Sequence, residues 1–281
     1  MEKIRNKKFI DYLRSQDKEI QAERKDATRG DVLKSFENNI EKLETLVEKR
    51  INNKKDEDSG PYNNIKFLLR RYINATKFKF IDLTKGLISC VNSGSYSGAL
   101  VISRTILENV AMLDLKRAEF NKLLINKKYL KLLKELLMVN VKDYQTYKVK
   151  DYKRTHINDA LRHYNKKDRE RDIFKIYNPI SERVHPSPSS FLMYQEIMTI
   201  KESYSQVSFS HNSQEVQGAI FGIIGLMLTH ISIIVEDHYP LIKKELIDIL
   251  ENYKLPIEVY FQNNISDSEE HDKLLKYFNT K

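Results

Sequence analysis

Two helical stretches meeting at a five-residue turn constrain this chain more than any other feature. From Tyr62 to about Asn92 the residues Ile65, Leu68, Leu69, Tyr72, Ile73, Phe80, Leu83, Leu87 and Val91 keep one helical face apolar. Gly94-Ser-Tyr-Ser-Gly98 interrupts the pattern, and Ala99 to Leu115 is then apolar on almost every side. Such a segment belongs to a helix packed in the middle of a domain. Long helices joined by so short a turn fold back as an antiparallel hairpin, with Ser95 or Ser97 capping the second. That second helix carries Arg104 and Glu108, four residues apart and so on one face. An ion pair on a central helix is costly to desolvate and seldom adds net stability. It needs another reason to be there.

Composition supports an all-α chain. Among 281 residues only 8 are Gly and 6 Pro, too few for a turn-rich β architecture. Cys90 is the single cysteine, which rules out an intrachain disulfide framework and a cysteine-rich zinc site; its apolar neighbours predict a buried small hydrophobe. The N-terminus has no apolar core of a secretory signal. Gly218 to Val235 is about the minimum length to span a membrane, but Thr229, His230 and Ser232 interrupt it. It reads as a buried core helix. Small residues at Gly218, Ala219, Gly222 and Gly225 give it room for a closely packed neighbour. The expectation is a cytoplasmic protein with no membrane partner.

In chain order, residues 1–58 read as a charged N-terminal helical extension ending in the loop Ile51 to Pro61, 59–255 as the main helical domain, and 256–281 as a polar tail that Pro256 separates from the preceding helix. Residues 191–213 read as a short strand pair or a loop. The net charge of +9 is uneven. Lys116–Arg171 holds 17 basic and 7 acidic residues, whereas 236–281 holds 6 basic and 10 acidic. The basic tract interleaves lysines with Tyr129, Tyr144, Tyr147, Tyr152 and Tyr164, a combination that suits RNA, where cations meet phosphates and rings stack on bases. A solvated helix with its tyrosines turned inward has the same pattern.

The second chemical segment is Tyr177-Asn-Pro-Ile-Ser-Glu-Arg-Val-His-Pro-Ser187. His185 stands at a helix exit enforced by Pro186, where it can titrate near neutrality as acid or base. Other chemistries lack their signatures. No His-Glu-x-x-His motif, cysteine cluster, phosphate-binding Gly-Lys-Ser/Thr loop or Gly-x-Ser-x-Gly elbow occurs, so neither metal nor cofactor is expected.

Together, Ser97 to Glu108 and Tyr177 to Ser187 resemble a bacterial all-helical family of uncharacterised function. Its pattern is Arg-x3-Glu followed by Tyr-x3-Ser-x3-His-Pro-Ser, and the likeness spans roughly Tyr62 to Val235. The family is similar to HEPN domains, a helical class that includes metal-independent RNases of toxin–antitoxin and antiviral defence systems. The resemblance implies a helical bundle in which Arg104, Glu108, Tyr177, Ser181 and His185 approach one another. The chain departs from the HEPN RNases in one respect: no Arg is followed, after four to six residues, by His.

The leading expectation is an RNA-directed endoribonuclease. Arg104, Glu108 and His185 would be catalytic, while Tyr177, Ser181, Arg183 and Ser187 would hold the substrate. An antitoxin-like or effector partner and a homodimer belong to the same expectation. The alternative is a non-catalytic module binding a protein or nucleic acid, with Arg104, Glu108 and His185 as a structural network. If that pair is buried, Glu108→Ala should cost about 3–5 kcal/mol.

Overall fold

Where Gly and Pro are scarce the backbone has little reason to leave the helix, and in the computed structural model it seldom does. The structure describes residues 3–23, 32–46, 60–140, 156–167, 173–184, 196–201, 204–208 and 214–279. The helices are α1 (Lys7–Glu23), α2 (Val32–Leu46), α3 (Pro61–Ser93), α4 (Tyr96–Ile125), α5 (Tyr129–Asn140), α6 (Ile157–Lys167) and α7 (Ile173–Val184). A two-stranded antiparallel sheet follows, β1 (Glu196–Lys201) and β2 (Tyr204–Ser208), and so the strand-pair reading of this region holds. Helix resumes as α8 (Gln214–Ile233), α9 (Tyr239–Ile242), α10 (Ile249–Glu251), α11 (Lys254–Asn263) and α12 (Ile265–Asn279). Ile234–His238 and Lys243–Asp248 are π-helical turns between α8, α9 and α10.

The turn after α3 shows how the sequence sets a helix end. Gly94 has φ +73°, Ser95 N–H donates to the Cys90 carbonyl at 2.8 Å, and Gly94 N–H donates to that of Val91 at 3.2 Å. This is a Schellman cap, in which a left-handed residue satisfies the last carbonyls. Ser95 then directly precedes α4, and Ser97 lies within it. Helix α4 ends the same way without a glycine: Lys127 adopts φ 56°, and Lys128 N–H donates to the Leu123 carbonyl at 2.9 Å.

Packing divides the chain elsewhere than at 58/59 and 255/256. One unit takes Met1–Glu44, Phe80–Met112 and Ile157–Glu236, the other Thr45–Lys79, Leu113–His156 and Asp237–Lys281. The first unit includes α1 and all but the last two residues of α2, so these helices are part of a core and not an appendage to it. Phe9 and Leu13 of α1 are buried. Phe221 of α8 meets the rings of Phe9 and Tyr96 at 5.3 Å and that of Tyr12 at 5.7 Å. The small residues of α8 permit this approach, since a methyl group at Gly225 would lie 2.9 Å from Leu13 Cδ2 and one at Gly222 3.1 Å from the Tyr12 hydroxyl. At Gly218 an added methyl group would meet nothing within 4 Å among the described residues. Among the described residues one helix, Ile220–Glu251, is long and apolar enough to cross a membrane; half of its most apolar window is buried inside the protein. Cys90 is half-buried against Gly98, more open than its neighbours suggested.

The second unit overturns the expectation of a polar tail. Residues 254–279 form α11 and α12, with Ile257 and Phe261 buried. Pro256 is tolerated because it stands in the first turn of α11, where its missing N–H has no intrahelical partner to lose. Tyr129 is also buried, edge-on to Tyr260 at 5.2 Å and to Tyr253 at 6.5 Å. It is core, not a stacking platform. Tyr144, Tyr147 and Tyr152 lie outside the described residues.

Two tyrosines of this unit give it a dependence on alkaline pH. Burial and a hydrogen bond to Asp267 push the Tyr260 phenol up to about 12. Burial and a 2.6 Å bond to Glu251 raise Tyr62 further. Below pH ~10 the phenols are protonated folded or unfolded, so stability is unaffected. Between pH ~10 and ~12 the unfolded chain releases protons that the folded one retains, so stability falls as pH rises. We expect Tyr260→Phe to lose less stability than wild type between pH 9 and 11. Urea midpoints measured across that range check this, and identical losses would show that Tyr260 contributes nothing.

Candidate functional site

Helix α4 positions Arg104 and Glu108 one turn apart, and Arg104 Nε donates to Glu108 Oε1 at 2.8 Å. The same carboxylate oxygen accepts a 2.8 Å hydrogen bond from the Tyr177 hydroxyl of α7. The Arg104 guanidinium carbon lies 5.5 Å from the centre of the Tyr177 ring, close enough for cation–π attraction. Three groups from two helices thus form one cluster. Arg104, Glu108 and Tyr177, drawn from two separate sequence motifs, come together within the first unit.

Burial around the cluster is graded. Tyr177 is 7% exposed, but the Arg104 and Glu108 side chains keep 21% and 26% of their surface in solvent. Helix α4 is also less enclosed than its composition suggested, with Val101 46% exposed. A half-exposed pair is stabilised less by burial and strands less when broken, so the 3–5 kcal/mol of a buried pair does not apply to it. The electrostatics agree with the geometry. Burial draws the Arg104 guanidinium down, but the hydrogen bonds to Glu108 and Tyr177 outweigh it and hold Arg104 above its ordinary value. Burial, then the bond to Glu108, raises the Tyr177 phenol. At neutral pH the cluster therefore presents a charged guanidinium and a neutral phenol as donors.

The remaining candidates divide. Ser181 lies one turn beyond Tyr177 on α7 and is half-buried. Arg183 is in the last turn of α7, and its side chain lies outside what the structure describes. His185 and Ser187 also lie outside the described residues. The described part of α7 runs to Val184. Pro179 sits inside α7 and removes one interior N–H from it.

Among the described residues no three His, Cys, Asp or Glu side chains gather as ligands would. His230 is buried with Nδ1 3.0 Å from the Leu226 carbonyl, and Glu236 and Asp237 are exposed on the π-helical turn that follows.

The polar groups that sequence reasoning missed are in the second unit. Lys116 and Arg117 head the basic tract, yet both are buried. Arg117 donates to Asp114 at 2.8 Å and also pairs with Glu245; Lys116 donates to Glu119 at 2.7 Å and to Glu135 at 3.2 Å. These cations belong to internal ion pairs and are not available to phosphates. The i, i+3 spacings of Asp114 with Arg117 and of Lys116 with Glu119 could have signalled part of this. Glu245, 128 residues further on, could not.

Comparison with known proteins adds no relative: no family model, no curated protein and no solved structure matches this chain.

Proposed function

We propose that the protein is a HEPN-like helical bundle, built around the antiparallel pairing of α3 and α4, that cleaves RNA without a metal ion. The observation that supports this most is the cluster on α4 and α7. A guanidinium held at Nε by Glu108 and seated over the Tyr177 ring still reaches solvent. Such a group is oriented before substrate arrives, and fixed donors of this kind stabilise developing phosphoryl charge. His185 follows the last residue of the helix that carries Tyr177.

In this reading His185 takes the proton of a ribose 2′-hydroxyl, whose oxygen attacks the neighbouring phosphorus. The bond from phosphorus to the 5′-oxygen breaks, and the imidazolium returns a proton to the leaving oxygen. The products are a 2′,3′-cyclic phosphate and a 5′-hydroxyl. Arg104 stabilises the charge on the phosphoryl oxygens, with Tyr177, Ser181, Arg183 and Ser187 placing the strand. The setting we infer is a cytoplasmic toxin or phage-defence effector, paired with itself or with an antitoxin-like protein.

The test is cleavage of single-stranded RNA by purified protein in EDTA. Arg104→Ala and His185→Ala should each lower the rate about 10²–10⁴-fold. No cleavage by wild type, or equal rates in folded variants, would rule the mechanism out.

One observation favours a second reading, a non-catalytic binding module. Glu108 Oε1 accepts from both Arg104 and Tyr177, and so ties α4 to α7. Under that reading Glu108→Ala lowers stability by about 1.5–3 kcal/mol, the range for hydrogen bonds to a charged group. The protein would then cleave nothing.

A further inference from the structure

A well-formed cleft among the described residues stands apart from the Arg104 cluster. It lies wholly within the second unit, with a volume of about 290 Å³. One wall is a single face of α3, from Arg70, Ile73, Asn74 and Lys77, which fall at i, i+3, i+4 and i+7. The other wall is Tyr239 and Pro240 of α9 with Lys243 and Ile247 of the π-helical turn after it.

The lining separates into an apolar floor and a cationic rim. Ile73 and Tyr239 are buried at 8% and 4% exposure, with Ile247 half-buried beside them. Arg70, Lys77 and Lys243 supply three positive charges, and among the described residues no carboxylate lines the cleft. Lys77 Nζ is 5.7 Å from the centre of the Tyr239 ring, so that cation stands directly above the floor. Asn74, almost fully buried, adds an amide between Arg70 and Lys77. This charge bias runs against its surroundings, since residues 236–281 are acidic overall with 6 lysines and 10 carboxylates.

The backbone of the second wall is also unusual. π-Helical turns are rare and recur at functional sites, and here they stand on both sides of α9, at Ile234–His238 and Lys243–Asp248. Pro240 in the first turn of α9 lacks an N–H, and the widened turns accommodate it. Tyr239 and Lys243, four residues apart, reach the cleft from this segment.

We propose that this cleft binds a small anionic amphiphile, a carboxylate or phosphate monoester carried on an apolar body of one ring or a short acyl chain. The cations and the Asn74 amide meet the anion, and Ile73, Tyr239 and Ile247 cover the apolar part. The volume stands at the lower end of ligand pockets, which excludes a folded macromolecule and favours a compact ligand. The site shares no residue with the Arg104 cluster and stands whether or not that cluster cleaves RNA.

The experiment is calorimetric titration of the full chain with octyl phosphate, octanoate, inorganic phosphate and octanol. At least one of the first two should bind at one site per chain, and inorganic phosphate and octanol should bind at least tenfold more weakly. Octyl phosphate alone would mark a phosphate ligand and octanoate alone a carboxylate ligand. Lys77→Gln and Lys243→Gln should each weaken binding about tenfold, the loss of one charge-assisted contact. Lys243 is exposed, so its variant keeps the test independent of folding, and circular dichroism verifies both. Binding unchanged in either folded variant, octanol as tight as the anions, or no binding by octyl phosphate and octanoate would overturn the proposal.

Discussion

Replacing Arg117 with alanine is expected to destabilise the protein by about 3–5 kcal/mol, the cost of leaving one member of a buried ion pair without its partner. The side chains of Arg117 and Asp114 are 6% and 2% exposed, so little water can solvate the Asp114 carboxylate once its partner is gone. Glu245, the other partner, is 28% exposed and can turn outward. The cost therefore concentrates on Asp114. That asymmetry yields a second expectation. Removing both charges, as in Asp114→Leu with Arg117→Met, should recover much of the loss, because the penalty comes from the stranded charge and not from the missing attraction. Urea unfolding at pH 7 of wild type, single and double variants measures this. A single variant within 1 kcal/mol of wild type, or a double variant no better than the single, would show that water reaches Asp114 after all.

Lys116 and Arg117 also show where reading the sequence alone failed. They open the most basic tract of the chain, and a run of cations is ordinarily a solvated face. Their burial depends on Glu135 and Glu245, residues that only the tertiary fold brings near. Local spacing could disclose Arg104 with Glu108, since both occupy one helical face. Tyr177 was legible because it belonged to a second chemically dense segment. A helix end was legible where side-chain chemistry enforces it, at Gly94. Another was illegible where the backbone takes a costly conformation without the usual residue, at Lys127 in the left-handed region. Pro256 misled for the opposite reason: proline stops a helix from its interior but begins one from its first turn. The π-helical turns around α9 leave no mark in hydrophobic periodicity, and the cleft they help to form was invisible for that reason.

Phe221→Ala is the second large expected effect, a loss of about 3–5 kcal/mol for truncating a buried phenylalanine. Phe221 is 3% exposed and lies among the rings of Phe9, Tyr12 and Tyr96, so the cavity would open between α1, α4 and α8. Phe221→Leu fills most of that space and loses chiefly the ring–ring geometry, worth about 0.5–1.5 kcal/mol per aromatic pair. The comparison decides whether α1 belongs to the first core. If it does, deleting residues 1–23 removes Phe9, Tyr12 and Leu13 together and should destabilise the chain at least as much as Phe221→Ala. It should also make Phe221→Ala cost less in the shortened chain, because the contacts with Phe9 and Tyr12 would already be gone and only that with Tyr96 would remain. Independent, additive losses measured by urea unfolding would mean that α1 packs without depending on Phe221. Coupled losses would mean that the small residues at Gly222 and Gly225 serve to admit α1 against α8, and that the N-terminal helix is required for the core that carries Arg104 and Glu108.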